Sequence, residues 1–259
     1  MIESKKFYED DEFIIWENEL VSQTVVNRYS LIEQAFRHLR EGFARRVYMM
    51  QCSRIFLRDH TKREPDNLPD PYLIEELNVH VNSYYINLRG CFDNLAWALN
   101  YQLSLVPANE HDPTRKNCDL FGKRFFNALQ QHLPDLHDFL KPFDNWIAEL
   151  RNLRDPAAHR VPISVIGSFL RPESLTEFNN LMSKAAAPES ELGGHSRSHF
   201  VREAYRLAEY TPLLIVSGAK GLESREIALQ IGNDHHQFLT LAKGVLARFF
   251  IAITNPRET

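Results

Sequence analysis

The chain has little cysteine, no long apolar run and no strong excess of either charge, and each shortage closes off a class of protein. Its three cysteines, Cys52, Cys91 and Cys118, are far apart and odd in number, with no CxxC spacing. That argues against a disulfide framework and suits a reducing compartment with free, mostly buried thiols. No stretch approaches the roughly 18 uninterrupted apolar residues of a membrane-spanning helix. The apolar "GVLARFFIAI" is short and contains Arg248. The opening "MIESKKFYEDDEF" is charged and lacks the apolar segment of a signal peptide. A formal net charge of −4 argues against wrapping long nucleic acid by bulk electrostatics, while leaving room for a local basic site. There is no GxxxxGK[ST] loop and no Rossmann glycine pattern, so nucleoside triphosphate hydrolysis and dinucleotide chemistry have no support. The expectation is a cytoplasmic protein without a membrane anchor or a cofactor.

What is present is helical periodicity. From Val21 to Phe56, apolar residues recur every three or four positions, at Val21, Val25, Tyr29, Ile32, Phe36, Leu39, Phe43, Val47 and Met50. This spacing predicts one long amphipathic helix with a bend near Gly42. The proline-rich "HTKREPDNLPDP" is a loop. A second long helix is predicted from Tyr72 to Leu105, with a stripe of Ile74, Leu77, Val81, Tyr84, Leu88, Phe92, Leu95 and Leu99. These two form the spine of a bundle. A short helix, Lys123 to Leu133, precedes one carrying Phe139, Phe143, Trp146, Ile147, Leu150 and Leu153.

Past residue 160 the pattern changes. "VPISVIGSFL" and "TPLLIVS" are β-branched runs, and "GAKGLES" supplies a turn for a hairpin around 212–231. "KAAAPESELGGHSRS" reads as a loop, followed by a short helix near Phe200 to Tyr210 and a final helix opening on "GNDHHQ". The expected fold is therefore mainly α. A single domain is formed by a helical bundle of residues 18–160 and 233–254, with a partly β insertion, 161–232, before the last helix.

The strongest chemical signal is "ELRNLRDPAAHRVP", residues 149–162. Arg154 follows Leu150 by four residues, which on a helix directs it toward the apolar face. Asp155 before Pro156 is a good N-cap and N1 pair, so a new helix is expected there, with His159 in its first turn. A helix start favours anions, and Ala157 and Ala158 leave room for a close approach. Arg154, His159 and the helix start could thus converge on one phosphate without a metal.

"RDPAAH" (154–159) resembles the Rx4–6H motif of the HEPN superfamily of all-helical domains, in which a polar residue often follows the arginine, as Asp155 does here. Two long helices, a shorter pair and a motif near the end of the bundle are similar in layout to that family. The resemblance implies a metal-independent endoribonuclease that acts as a homodimer with a composite site and cuts RNA by transfer to its own 2′-hydroxyl. It also implies a toxin or defence setting, with an antitoxin or another protein as partner. His159 would be the general acid or base, Arg154 would stabilise the phosphorane-like charge, and Asp155 would orient the pair or cap the helix. The alternative within the family is a non-catalytic module that binds a nucleotide, RNA or a protein. A third reading is a structural helical protein in which the motif is coincidental.

Other candidates are weaker. "RIFLRDH", Arg54 to His60, also falls within the Rx4–6H range but has Ile after the arginine and lies at the end of the first long helix. Arg89 and Asp93 can pair along one helix face and, with Asn82 and Asn94, form a polar strip that could line a substrate cleft facing the motif. Tyr84, Tyr85 and Trp97 could stack on a base or be core. His195 and His199 have metal-ligand spacing but sit beside Gly193 and Gly194 with no carboxylate partner, and His235 and His236 stand alone, so no metal is expected. "SGAK", Ser217 to Lys220, matches an SxxK nucleophile but falls in the hairpin turn.

Overall fold

The computed structural model describes residues 12–61, 71–159, 163–188, 190, 192–218 and 221–254. Helix α1 (Glu12–Val26) ends in a 3-10 turn, Arg28–Ser30. Helix α2 (Glu33–Arg37) then runs through a π-helical stretch, His38–Ala44, into α3 (Arg45–His60). Next come α4 (Pro71–Leu103), α5 (Lys123–His132), α6 (Pro134–Leu140) and α7 (Asp144–His159). Strand β1 (Ser164–Leu170) is followed by α8 (Leu175–Ala186), α9 (Arg197–Arg206), β2 (Ala208–Gly218), β3 (Gly221–Glu226) and α10 (Ile227–Thr254). The sheet is antiparallel, in the order β1-β2-β3. The fold is a mainly α bundle with a small antiparallel sheet before the last helix.

Helix α4 is the axis of the molecule. Leu77, Val81, Tyr84, Leu88, Phe92, Leu95 and Leu99 are buried along its length, at the three- and four-residue spacing that turns one helical stripe inward. Val47, Met50 and Leu57 of α3 and Ile147, Leu150 and Leu153 of α7 close on it, with Phe238, Leu241, Val245 and Phe249 of α10. The inner face of the sheet, Val165, Leu214 and Val216, belongs to the same core. Helix α10 is long and apolar enough to cross a membrane by length and composition. Its apolar residues Ile227, Ile231, Phe238, Leu239, Leu241, Val245, Leu246 and Phe249 are nonetheless buried in the bundle, with Asp234 and His235 among them, while Ile251 is exposed.

Four expectations need correction. The first long helix is broken, because residues 27–32 leave the helix and are fastened across the bundle. The backbone N–H of Ile32 donates to Gln102 Oε1 (3.0 Å), and Gln102 Nε2 donates to Ser30 O (3.5 Å). Tyr29 is consequently 98% exposed, although it lies on the apolar spacing. The expected bend near Gly42 takes the form of the π-helical stretch. Secondly, α7 continues unbroken through Asp155 and Pro156 to His159. Asp155 is therefore no N-cap and Pro156 no helix start. Proline there removes only one helical hydrogen bond close to the C-terminus, while Leu150 and Leu153 anchor the preceding turn in the core and the two following alanines are strong helix formers. Thirdly, α8 occupies Leu175–Ala186, ahead of the loop expected around 184–198. Lastly, the strand expected to reach residue 231 stops at Glu226, and α10 begins at Ile227.

Candidate functional site

The motif lies on the last turns of α7, and both of its flanks are fixed to α4. Before it, Leu150 and Leu153 are buried, and Arg151 Nη2 reaches the Phe121 carbonyl at 3.4 Å and Asp119 Oδ2 at 3.7 Å. After it, the chain is pinned by two asparagines of α4. Asn82 Nδ2 donates to Ile163 O (2.9 Å), and Ile163 N–H donates back to Asn82 Oδ1 (3.1 Å). Val165 N–H donates to Asn78 Oδ1 (2.6 Å). These bonds are the backbone pairing of a strand edge, supplied here by amide side chains. The side chains of Arg154, Asp155 and His159 lie outside the described residues, and so does the expected inward direction of Arg154.

The three proposed substrate contacts on α4 do not share one surface. Arg89 Nη2 donates to Asp119 Oδ1 at 2.7 Å, and its Nη1 is 3.2 Å from Asp93 Oδ1. With Arg151 this makes a knot of two arginines and two carboxylates joining α4, the loop before α5 and the motif helix. A guanidinium bound by two carboxylates is a structural fork, which is how Arg89 serves. Asn94 turns to the other side of α4. Its Nδ2 donates to the Gly90 carbonyl (2.8 Å), leaving Oδ1 to face His38 Nδ1 at 3.2 Å.

That second site was not legible as a motif. His38 opens the π-helical stretch, a form of helix often found at functional positions. Its ring lies against Trp97 and Tyr101, with centroids 5.9 and 5.5 Å away. Its Nε2 is 3.3 Å from Glu110 Oε1, and the Tyr101 hydroxyl donates to the same oxygen at 2.5 Å. Burial, followed by the hydrogen bond to Glu110, pushes the Tyr101 phenol up to about 12. Burial works to raise the Glu110 carboxyl, but the hydrogen bonds from Tyr101 and His38 and the charges of His38 and Arg37 outweigh it and hold it low. Gly42 permits the arrangement, since a Cβ there would lie 1.9 Å from Asn94 Oδ1.

The competing "RIFLRDH" resolves into core structure. Arg54 is fully buried and its guanidinium grips Glu17, with Nε to Oε1 at 3.2 Å and Nη2 to Oε2 at 2.9 Å. His60 is on the surface, stacked on Phe56 at 4.2 Å. The structure does not bring this arginine and histidine together. Glu17 instead also meets His235 Nε2 at 2.9 Å, and Tyr84 Oη lies 3.2 Å from His235 Nδ1. Burial alone would raise Glu17, but the hydrogen bond from His235 and the Arg54 guanidinium lower it. Burial drives His235 toward its neutral form. A neutral ring with hydrogen on Nε2 donates to Glu17 and accepts from the Tyr84 hydroxyl, so the network holds one positive and one negative charge.

Beside it, Asp234 accepts from Tyr85 Oη (2.8 Å), Trp146 Nε1 (2.8 Å) and Gln230 Nε2 (2.9 Å). Burial raises its carboxyl despite these three donors. Tyr84 and Tyr85 are thus core residues, and Trp97 is partly buried beside His38.

The remaining histidines form no ligand set. His195 and His199 stack at 4.5 Å, but His195 precedes α9 in a turn containing Gly193 and Gly194. His236 packs near Trp16. Among the described residues no group of three or more His, Cys, Asp or Glu is placed to hold a metal ion. Ser217 lies in β2, paired with Leu222 of β3. Comparison with protein-family models, with curated proteins and with solved structures finds no match.

Proposed function

We propose that the chain is a HEPN-like, metal-independent endoribonuclease that acts as a homodimer. The observation that carries this reading is the seating of "RDPAAH" at the end of a helix whose two flanks are both fastened to the central helix of the bundle. Rigid support of this kind is what a positioned proton donor and a phosphate-binding arginine require. The rival Arg54 is consumed by the core, which leaves Arg154 and His159 as the pair of this spacing that the reading uses.

In this proposal the 2′-hydroxyl oxygen of the substrate attacks the adjacent phosphorus and the bond to the 5′ oxygen breaks. The 2′ proton passes to a base and the departing 5′ oxygen receives one from an acid, giving a 2′,3′-cyclic phosphate and a 5′-hydroxyl. His159 serves the proton transfers and Arg154 the phosphorane-like charge. Since α7 is unbroken, Asp155 keeps the orienting role rather than the capping one. Positions five apart on a helix lie about 140° apart around the axis and about 7.5 Å along it. One α7 therefore presents the two residues to different sides, and a two-fold pairing of copies lets Arg154 of one approach His159 of the other. A toxin or defence role, with an antitoxin as partner, goes with the same reading.

The test is cleavage of single-stranded RNA in EDTA, with the product ends mapped. Wild type should leave 2′,3′-cyclic phosphate and 5′-hydroxyl ends. Arg154→Ala and His159→Ala should each slow cutting by at least about 100-fold with unchanged circular dichroism. Wild-type protein that binds RNA and never cuts it is a non-catalytic module. Cutting by His159→Ala at the wild-type rate removes the proposed mechanism.

A further inference from the structure

The segment from Arg28 to Arg46 has a local charge opposite to that of the whole chain. It carries Arg28, Arg37, Arg40, Arg45 and Arg46 against Glu33 and Glu41. Arg28, Arg37, Arg40 and Arg45 are exposed. Arg37 has only a 3.8 Å approach to Glu110, and Arg46 donates to Asn87 at 3.0 Å. Arg28 and Arg40 behave differently. Both guanidinium groups lie over the ring of Phe36, at 5.1 and 5.9 Å from its centroid. Each is within the range of a cation–π contact, and among the described residues neither makes an ion pair or side-chain hydrogen bond. Glu33 and Glu41, the nearest acids in sequence, make no ion pair with them.

Two like charges drawn to one ring, with no carboxylate between them, leave fork-shaped donors unused. The arrangement is also built in advance. The turn carrying Arg28 is tied to the end of α4 by Gln102 through Ile32 N–H and Ser30 O. Arg40 sits in the π-helical stretch, in which Asn94 and Gly42 lock the packing against α4. Tyr29, next to Arg28, is 98% exposed. Paired arginines that bind phosphate and a bare aromatic ring on which a base can stack are the two components of a single-strand binding surface.

We infer that Arg28 and Arg40 on Phe36, with Arg37 and Tyr29, bind the backbone and a base of single-stranded RNA. This surface is separate from α7 and extends the contact with substrate beyond the motif. The inference rests on the ribonuclease reading for its choice of RNA as occupant. The geometry of the pair does not depend on that reading.

Binding is measured by fluorescence anisotropy with a labelled, 2′-O-methylated oligouridylate of about 20 nucleotides, which cannot be cut by the proposed chemistry and spans more than one single-strand site. Arg28→Ala/Arg40→Ala should weaken binding at least tenfold near 0.1 M salt. It should also flatten the slope of log Kd against log salt by about 1.4, for two single-strand phosphate contacts. Arg28→Lys/Arg40→Lys should restore most of the slope, and Tyr29→Ala should weaken binding with the slope unchanged. The inference falls if the double alanine variant binds as wild type does, or if wild type binds an acidic peptide and no RNA. Loss of binding in the variant alongside a wild type that never cuts RNA sinks the ribonuclease reading and leaves the surface standing. EDTA-resistant cutting with unaltered binding in the variant does the reverse.

Discussion

Glu17→Gln should be among the most damaging single substitutions in the bundle. Glu17 and Arg54 are both fully buried, and the pair is closed by two hydrogen bonds of 3.2 and 2.9 Å. Removing the carboxylate's charge leaves a guanidinium that cannot shed its proton in a site without solvent. Breaking a buried pair from one side costs about 3–5 kcal/mol, a large part of the roughly 5–15 kcal/mol that holds an ordinary domain together. Glutamine is nearly isosteric and can still accept from His235, so the loss measures charge rather than packing.

The double variant Glu17→Gln/Arg54→Met removes both charges and keeps the volume near constant. It should recover to within about 1–2 kcal/mol of wild type, because apolar replacement of a buried pair is often neutral. Urea unfolding followed by far-ultraviolet circular dichroism at pH 7 gives both values, and the cycle gives the coupling between them. A loss below about 1 kcal/mol for Glu17→Gln, the usual size for an exposed pair, would refute the claim that Arg54 is sealed in.

The same network sets an acid limit. The folded-state pKa of Glu17 is lowered, so its contribution is complete above the ordinary carboxyl value and is lost as the pH falls through the lower, folded one. Urea midpoints from pH 7 to 3 should therefore decline less steeply below about pH 4.5 in Glu17→Gln/Arg54→Met than in wild type. Parallel curves would assign the acid sensitivity elsewhere. Gly42→Ala sets two effects against each other. Helix propensity favours alanine by about 1 kcal/mol, but its Cβ would lie 1.9 Å from Asn94 Oδ1. Displacing Asn94 breaks its contact with His38, and overpacking of this kind costs about 1–3 kcal/mol, so the melting temperature should fall. A rise would show that Asn94 moves aside without penalty.

The parts of the fold that could be read from the sequence are those in which one element buries its own stripe. Helix α4 is the plainest case, since Leu77 to Leu99 follow a single helical face and all are core. The break after α1 was hidden because Val25, Tyr29 and Ile32 keep the helical spacing while the structure leaves all three exposed. What ends that helix is Gln102, 70 residues from Ile32, and no local pattern records it. Helix α8 does have a readable stripe, Leu175, Phe178, Leu181, Met182 and Ala185, but of these only Ala185 is buried, so that stripe does not become core. The motif was visible as a spacing and Asn82 as part of a polar strip on α4, but Asn78 looks like an ordinary polar position, and nothing local shows that both asparagines hold the backbone after the motif. The Glu17, Arg54 and His235 network unites α1, α3 and α10, and none of the three positions carries a local sign of the others.

The contact between Glu17 and His235 also orders events in time. During synthesis α1, α3 and α4 emerge first, and they can pair Arg54 with Glu17 long before α10 exists. Until α10 arrives, the side of that pair later covered by His235 faces water. Contacts between such distant stretches of chain are the slow ones to form. The bundle therefore stays unsealed while the sheet and the helices α8 and α9 are made, and the last helix acts as the stopper that dries its interior.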